Sequence, residues 1–156
     1  MIDPAALATL LAALSPALIK VLEKLADKVI VDPALEPLTK NLKAWTTSKF
    51  DKAKAEKDLM TAMQKSLPSA EEDYSLFMAF SNLKSYPDRA AGVIATTVEM
   101  VSDDESRIPA KLLVGLKLED KHRRPLASAL FNLRQNLARS ETYRAAIQYS
   151  DALAER

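Results

Sequence analysis

The stretch DPAALATLLAALSPALIKVLEKL, residues 3–25, contains an uncharged run from residue 4 to residue 19. Asp3-Pro4 opens the run and Ser15-Pro16 divides it. Both dipeptides place a hydrogen-bond acceptor at a helix N-cap and proline at the first helical position, where its missing N–H is not needed. The stretch therefore predicts two helices, over residues 4–14 and 16–31.

These two predicted helices differ in where their apolar side chains lie. Helix 16–31 has one apolar stripe and one charged face, which is typical of a helix packed on a core. Helix 4–14 has almost no polar face, because Leu7, Leu10, Leu11 and Leu14 are separated only by alanines and Thr9. We expect it to be buried inside a bundle, to contact a protein partner or to insert into a membrane surface.

The uncharged run does not have the features of a single membrane span or of a signal peptide. Its 16 residues fall short of the roughly 20 that a bilayer requires. An acidic residue precedes the run, whereas a signal peptide would begin with basic residues. We therefore expect a cytoplasmic protein.

The rest of the chain repeats the same helix signals, and all eight prolines fall at or near predicted helix starts. One predicted helix covers about 38–65 and has a kink at 46–48. Another is capped by Ser69 and Glu72 and carries the apolar residues from Tyr74 to Leu83. Two more cover 88–101 and 109–117. A further helix begins near Arg124 with Leu126, Leu130, Leu133 and Leu137 as its stripe, and a last one follows Ser140.

These patterns predict an all-α fold, a bundle of seven or eight helices in one domain. The domain covers residues 1–156, with the hydrophobic helices 4–31 first and the remainder at 33–155. The β-branched run in 93–98 is interpreted as helix, because a lone strand would have nothing to pair with. Apolar residues at 48% and charged residues at 28% are typical of a globular chain.

The composition also narrows the function. There is no cysteine, so disulfides and thiolate chemistry are excluded. Only two glycines occur, whereas β-sheet proteins and phosphate-binding loops need several. The formal net charge of +1 provides no overall field for nucleic acid or anionic lipid.

No catalytic or metal site is predicted, and no cofactor. His122 is the only histidine, and it lies in a charged run that is typical of a solvated linker. No second ligand has the spacing of a metal site, and no serine lies in a nucleophile elbow. We expect a chain that is not an enzyme.

Charge is nevertheless uneven along the chain. Residues 40–65 carry seven basic against three acidic residues, residues 117–144 again seven against three, and residues 69–107 three against eight. Such segregation indicates either ordinary solvated faces or complementary poles for contact between copies. The candidate basic contact face consists of Lys49, Lys52, Arg123, Arg124 and Arg134.

Two segments resemble a known family. The stretch RRPLASALFNLRQNL, residues 123–137, followed by Tyr143 and residues 149–153, is similar to the helical segment before the nucleotide-binding domain of bacterial NACHT-type STAND ATPases. Residues 50–59, after Leu42 and Trp45, resemble another part of those N-terminal helical domains. The resemblance implies an adaptor or effector module of an antiphage defence protein, with ATPase and sensor domains beyond Arg156.

Three functions follow as hypotheses. The first is a signalling module that self-associates or recruits a protein partner. The second is a membrane-perturbing element that inserts Leu7, Leu10, Leu11 and Leu14 after oligomerisation. The third is nucleic-acid binding through the basic contact face, although few aromatic side chains accompany its charges.

Overall fold

The computed structural model describes residues 52–141, 143–144, 147–148 and 151. Within these ranges every regular element is helical and no strand occurs, which confirms the all-α prediction for this part of the chain. The helices are α1 (Lys52–Ser66), α2 (Tyr74–Asn82), α3 (Pro87–Glu99), α4 (Ala110–Gly115) and α5 (Arg123–Ala138). Three short 3-10 helices span Leu83–Ser85, Glu105–Arg107 and Asp120–His122, and residues 141, 143–144, 147–148 and 151 are also helical.

Several predictions concern residues outside the described ranges. They are the helices 4–14 and 16–31, the first part of helix 38–65 and its kink at 46–48. The count of seven or eight helices therefore stays a prediction. Within the described ranges, no helix has both the length and the apolar content that crossing a bilayer demands.

Helix α5 forms the centre of the core. Its predicted stripe is confirmed, because Leu126, Leu130, Leu133 and Leu137 are each at most 1% exposed. Polar groups join α5 and the residues after it to α1: the amide of Asn136 donates to Ser66 Oγ at 2.6 Å, and Ser140 Oγ donates to Asp58 Oδ2 at 2.7 Å. The apolar stripe and these bonds fix α1 against α5.

Helix α2 begins later than the capping pair predicts. The N–H of Glu72 does donate to Ser69 Oγ at 3.3 Å, as a capping box predicts, and Ser69 Oγ donates to Glu72 Oε1 at 3.2 Å, but both bonds lie at the turn of residues 70–72. Asp73 is the N-cap, with extended backbone (φ −154°, ψ 96°) and a carboxylate that accepts from the N–H of Leu76 at 3.1 Å. An aspartate at this position satisfies an N–H that the helix leaves unpaired.

The β-branched segment is helical, as predicted. Helix α3 starts with Pro87 at N1, and Val93, Ile94 and Val98 are at most 2% exposed. Thr97 is fully buried, and its hydroxyl donates to the carbonyl of Val93 at 2.8 Å. Burial on one face therefore outweighs the modest helix propensity of these residues.

Helix α4 ends two residues earlier than predicted. Lys117 follows it with φ 57°, the only positive φ of a residue other than glycine in the described part. The N–H of Leu118 donates to Leu113 O at 2.9 Å, and that of Lys117 to Val114 O at 3.1 Å. These two bonds end the helix. The left-handed conformation that Lys117 adopts after it is one that glycine usually occupies.

Candidate functional site

An open groove of about 570 Å³ lies between α3 and α4. Its lining is mostly apolar and small, and the residues of interest are Gly92, Ala95, Leu112, Val114 and Gly115. Val114 is 77% exposed, whereas most large apolar side chains described in the chain are buried or half-buried. Helix α4 thus presents Leu112 and Leu113 to the core and Val114 to its surroundings.

Both glycines of the chain line this groove. Neither has a positive φ, so the backbone conformation does not require glycine. A Cβ added at Gly92 would lie 3.6 Å from Leu112 Cδ1, and one at Gly115 would lie 3.8 Å from Arg89 Cγ. These are ordinary van der Waals distances, so packing within the described chain does not require glycine either.

Glycine inside a helix has a cost, which makes Gly92 the more informative of the two positions. Gly92 lies in the middle of α3 and Gly115 is the last residue of α4. Alanine would stabilise a helix interior by roughly 0.5–1 kcal/mol relative to glycine. The two glycines keep the groove deep, because a side chain at either position would fill part of its volume.

The groove has acidic residues on one rim and a basic residue on the other. Asp88 and Glu99 stand on α3 and Lys111 stands on α4, and all three are exposed. None of them forms an ion pair with another described residue. Arg89 also lines the groove, but its guanidinium lies over the ring of Tyr86, 3.8 Å from the centroid.

The predicted apolar contact residues Leu7, Leu10, Leu11 and Leu14 lie outside the described residues, as does Lys49 of the basic contact face. Lys52 is the first residue of α1. Arg124 is exposed near the start of α5, and its role as a contact residue stays a prediction.

Arg134 corrects the predicted basic face. Its side chain is 6% exposed and pairs with Asp151 at 2.8 Å. Its Nε donates to Val98 O at 2.9 Å, and a second guanidinium nitrogen contacts Ile147 O at 3.5 Å. The prediction for Arg134 is wrong, because a guanidinium held inside the core by three acceptors cannot contact phosphate at the surface.

Arg123 is also occupied by internal bonds. Its Nε donates to Asp120 Oδ1 at 3.0 Å and it pairs with the same carboxylate at 3.0 Å, while a further nitrogen donates to the carbonyl of Ile108. Arg123 therefore fixes the loops before α4 and α5. Of the five residues predicted for the basic face, Arg124 is the one whose described side chain is exposed.

His122 lies beside a separate crevice of about 330 Å³ between α2 and the loop after α4. Its Nδ1 is buried and has no hydrogen-bond partner in the described part of the chain. No group of three or more metal-ligating side chains occurs among the described residues.

Comparison with protein-family profiles, with characterised proteins and with solved structures finds no significant match to this chain.

The groove was not predicted from the sequence. The available signal was the placement of the two glycines, one within and one at the end of a segment that otherwise has a helical pattern. The two glycines indicate a groove only when the helix that packs beside α3 is known, and the sequence pattern does not identify that helix.

Proposed function

We propose that this chain is a protein-interaction module without chemistry of its own, which receives a helical face of another polypeptide in the α3–α4 groove. The observation that carries the proposal is the pair of glycines that neither backbone conformation nor packing among the described residues requires. An apolar groove with an exposed valine and unpaired charges at its rim is typical of a surface that another helix covers.

The same proposal includes the setting that the sequence indicates. The helical pattern of residues 123–137 supports a role as the N-terminal adaptor module of a NACHT-type STAND ATPase in bacterial antiphage defence. In such a protein the module would signal by self-association or by recruiting an effector in the cytoplasm. The full module would contain seven or eight helices.

Photo-crosslinking in cells that produce the full chain tests the interaction. A benzophenone amino acid at Ala95, which lines the groove, should give a covalent adduct whose second component is identified by mass spectrometry. The same amino acid at exposed Lys57 on α1 is the matched control and should give none.

Filling the groove provides the second arm of this experiment. Gly92→Leu should abolish the Ala95 adduct while the far-ultraviolet circular dichroism of the chain stays unchanged. Failure to form an adduct at Ala95, or an adduct that persists after Gly92→Leu, would overturn the groove as the interaction surface.

A second candidate function is membrane perturbation by Leu7, Leu10, Leu11 and Leu14, which the uncharged run at residues 4–19 favours. It is tested by dye release from liposomes after the chain has been forced to oligomerise by fusion. The double variant Leu10→Glu/Leu11→Glu should abolish the release, since charged side chains do not enter the apolar layer. Release that is unchanged by the double variant would exclude this role.

A further inference from the structure

A small pocket lies between the end of α2 and the start of α3, beside the residues that follow α4. Its volume is about 170 Å³, which is below the roughly 300–1,000 Å³ of sites that take a drug-sized molecule. Its lining includes the basic residues Arg89 and Lys117 and the polar residues Asn82 and Ser85. None of the described residues that line it is acidic. The size and charge of this Arg89–Lys117 pocket suit a small anionic group.

Arg89 offers the pocket a fixed guanidinium whose N–H groups are not paired with a described carboxylate. The guanidinium lies over the ring of Tyr86, 3.8 Å from its centroid, and Tyr86 lines the same pocket. Stacking of this kind uses the flat face of the guanidinium, whereas its donors point outward in the plane. Arg89 forms no ion pair with another described residue. The ring therefore holds the cation in place and leaves its donors for a ligand.

Lys117 is a second, independent indication of a binding site. Its φ of 57° is strained for a residue with Cβ, and glycine usually occupies this position after a helix. The side chain is exposed and forms no ion pair with another described residue. The lysine thus lowers stability without a described internal contact to offset the strain, as residues that serve binding commonly do.

We infer that the Arg89–Lys117 pocket binds the phosphate group of a small molecule, a function beyond the proposed protein interaction and independent of it. A phosphate ester carries nearly two negative charges at neutral pH and three strongly accepting oxygens. Two cations neutralise that charge, and the hydroxyl of Ser85 and the amide of Asn82 add neutral donors. A carboxylate has a single charge and would leave one of the cations unpaired.

The neighbouring crevice distinguishes inorganic phosphate from a phosphate ester. Asn82 and Lys117 line both the pocket and the crevice of about 330 Å³ that contains Tyr74 and His122. The side chain of Tyr74 is 65% exposed, so a flat group can stack on its ring. His122 Nδ1 is buried and has no hydrogen-bond partner in the described part of the chain. An ester with an aromatic base, such as a nucleoside monophosphate, would fill both cavities, whereas inorganic phosphate would fill the pocket alone.

NMR titration of the amide groups of the full chain tests the inference, with inorganic phosphate, adenosine monophosphate and acetate added at constant ionic strength. Both phosphates should shift the amide signals of Ser85, Tyr86 and Lys117 in a saturable way, and acetate should not. Adenosine monophosphate should also shift the signals of Tyr74 and Leu118. It should bind about tenfold more tightly than inorganic phosphate, because stacking of the base adds to the binding energy.

Two variants test the pocket directly. Lys117→Gly and Arg89→Met should each weaken phosphate binding by about tenfold or more, because each removes a charged donor. Lys117→Gly also relieves the strained backbone, so a loss of binding in this variant cannot be ascribed to a loss of folding. Lys111→Met is the matched control, since Lys111 is an exposed lysine on α4 outside the pocket, and it should leave the affinity unchanged.

Two results would overturn the inference: the absence of saturable shifts with both phosphates, or binding that Lys117→Gly leaves unchanged. Acetate that binds as tightly as inorganic phosphate would overturn the choice of phosphate as the ligand group. Equal affinities for inorganic phosphate and adenosine monophosphate would assign the pocket to inorganic phosphate and exclude the crevice. The Ala95 adduct is a separate measurement, so the failure of either proposal is recognised without the other.

Discussion

The apolar face of α5 and the α3–α4 groove both belong to amphipathic helices, but the face of α5 is buried and the groove is open. Around α5 the four stripe leucines are at most 1% exposed, and Nε and Nη2 of Arg134 among them donate to Val98 O and to Asp151 Oδ1. In the groove an exposed valine, two glycines and three unpaired charges remain. Apolar periodicity alone therefore does not distinguish a face that the chain covers from a face that it leaves open.

The difference also separates stability from function. Every feature around α5 contributes to the free energy of unfolding, because it buries apolar area or satisfies a buried polar group. Several features of the groove lower that free energy or leave it unchanged. Residues kept at a cost to stability commonly serve binding. Substitutions around α5 should therefore lower the free energy of unfolding, whereas substitutions in the groove should raise it or leave it nearly unchanged.

The largest effect is expected from Leu130→Ala in α5. Leu130 is fully buried, so the change should lower the free energy of unfolding by about 2–5 kcal/mol through lost burial and a cavity. Urea denaturation followed by circular dichroism measures it. Val114→Ala in the groove is the comparison and should change the value by less than about 0.5 kcal/mol. Equal effects would mean that Val114 is covered by the chain itself.

Arg134→Met should lower the free energy of unfolding by about 2–3 kcal/mol, because the carbonyl of Val98 and the carboxylate of Asp151 lose their buried donor. Arg139→Met, directly after the end of α5 and exposed, is the control and should have an effect below about 0.5 kcal/mol. The same urea experiment compares them. Similar values for the two variants would show that the buried arginine is dispensable.

Gly92→Ala should have the opposite sign. It should raise the free energy of unfolding by about 0.5–1 kcal/mol, because alanine is the better helix former and its Cβ makes an ordinary contact. Thermal and urea unfolding measure the gain, and the yield of the Ala95 adduct, which should fall, measures binding in the groove. A destabilised protein would show that Gly92 is required by packing, and would remove the main support for the groove as an interaction surface.

Lys117→Gly should raise the free energy of unfolding by about 0.5–1 kcal/mol. Lys117 has φ 57°, a conformation that is strained for a residue with Cβ and free for glycine. Lys117→Ala removes the same charge but keeps the strain, so it separates the two causes and should change stability little. A gain for alanine as large as for glycine would assign the effect to charge.

The smallest effect is expected on the pKa of Asp104, which lies in the exposed acidic segment 103–105 between α3 and α4. The N–H of Ser106, which donates to Asp104 Oδ1 at 3.0 Å, holds the pKa of this carboxylate below its ordinary value, and the hydroxyl of Ser106 lowers it further. A lowered pKa in the folded state stabilises the fold above the unfolded-state pKa, and this stabilisation is lost as pH falls through the folded-state value. Carbon-13 NMR titration of the carboxyl group measures the pKa, which Ser106→Ala should raise; an unchanged titration would remove the hydroxyl as a cause.

Most of the described helices could be predicted from local signals. Pro87 fixes the start of α3, and the leucine spacing identifies the buried face of α5, because both depend on residues within a few turns. The predicted N-cap of α2 is wrong because the sequence offers two competing caps four residues apart, the Ser69–Glu72 pair and Asp73. The turn at residues 70–72, which the structure shows, selects Asp73. The end of α4 was misplaced because glycine is usual in the left-handed position, yet Lys117 occupies it.

The candidate site was much less predictable. Arg124 and Arg134 look alike in the sequence, and one is exposed while the other is buried with acceptors from α3 and from the residues after α5. Gly92 and Gly115 are 23 positions apart, and neither signals a groove alone. The sequence by itself determined the helical class of the described segments and the face of α5 that would be apolar, because capping and periodicity act within one helix. Only the tertiary structure decided which apolar faces are covered and which charges are satisfied, because that depends on which helices become neighbours.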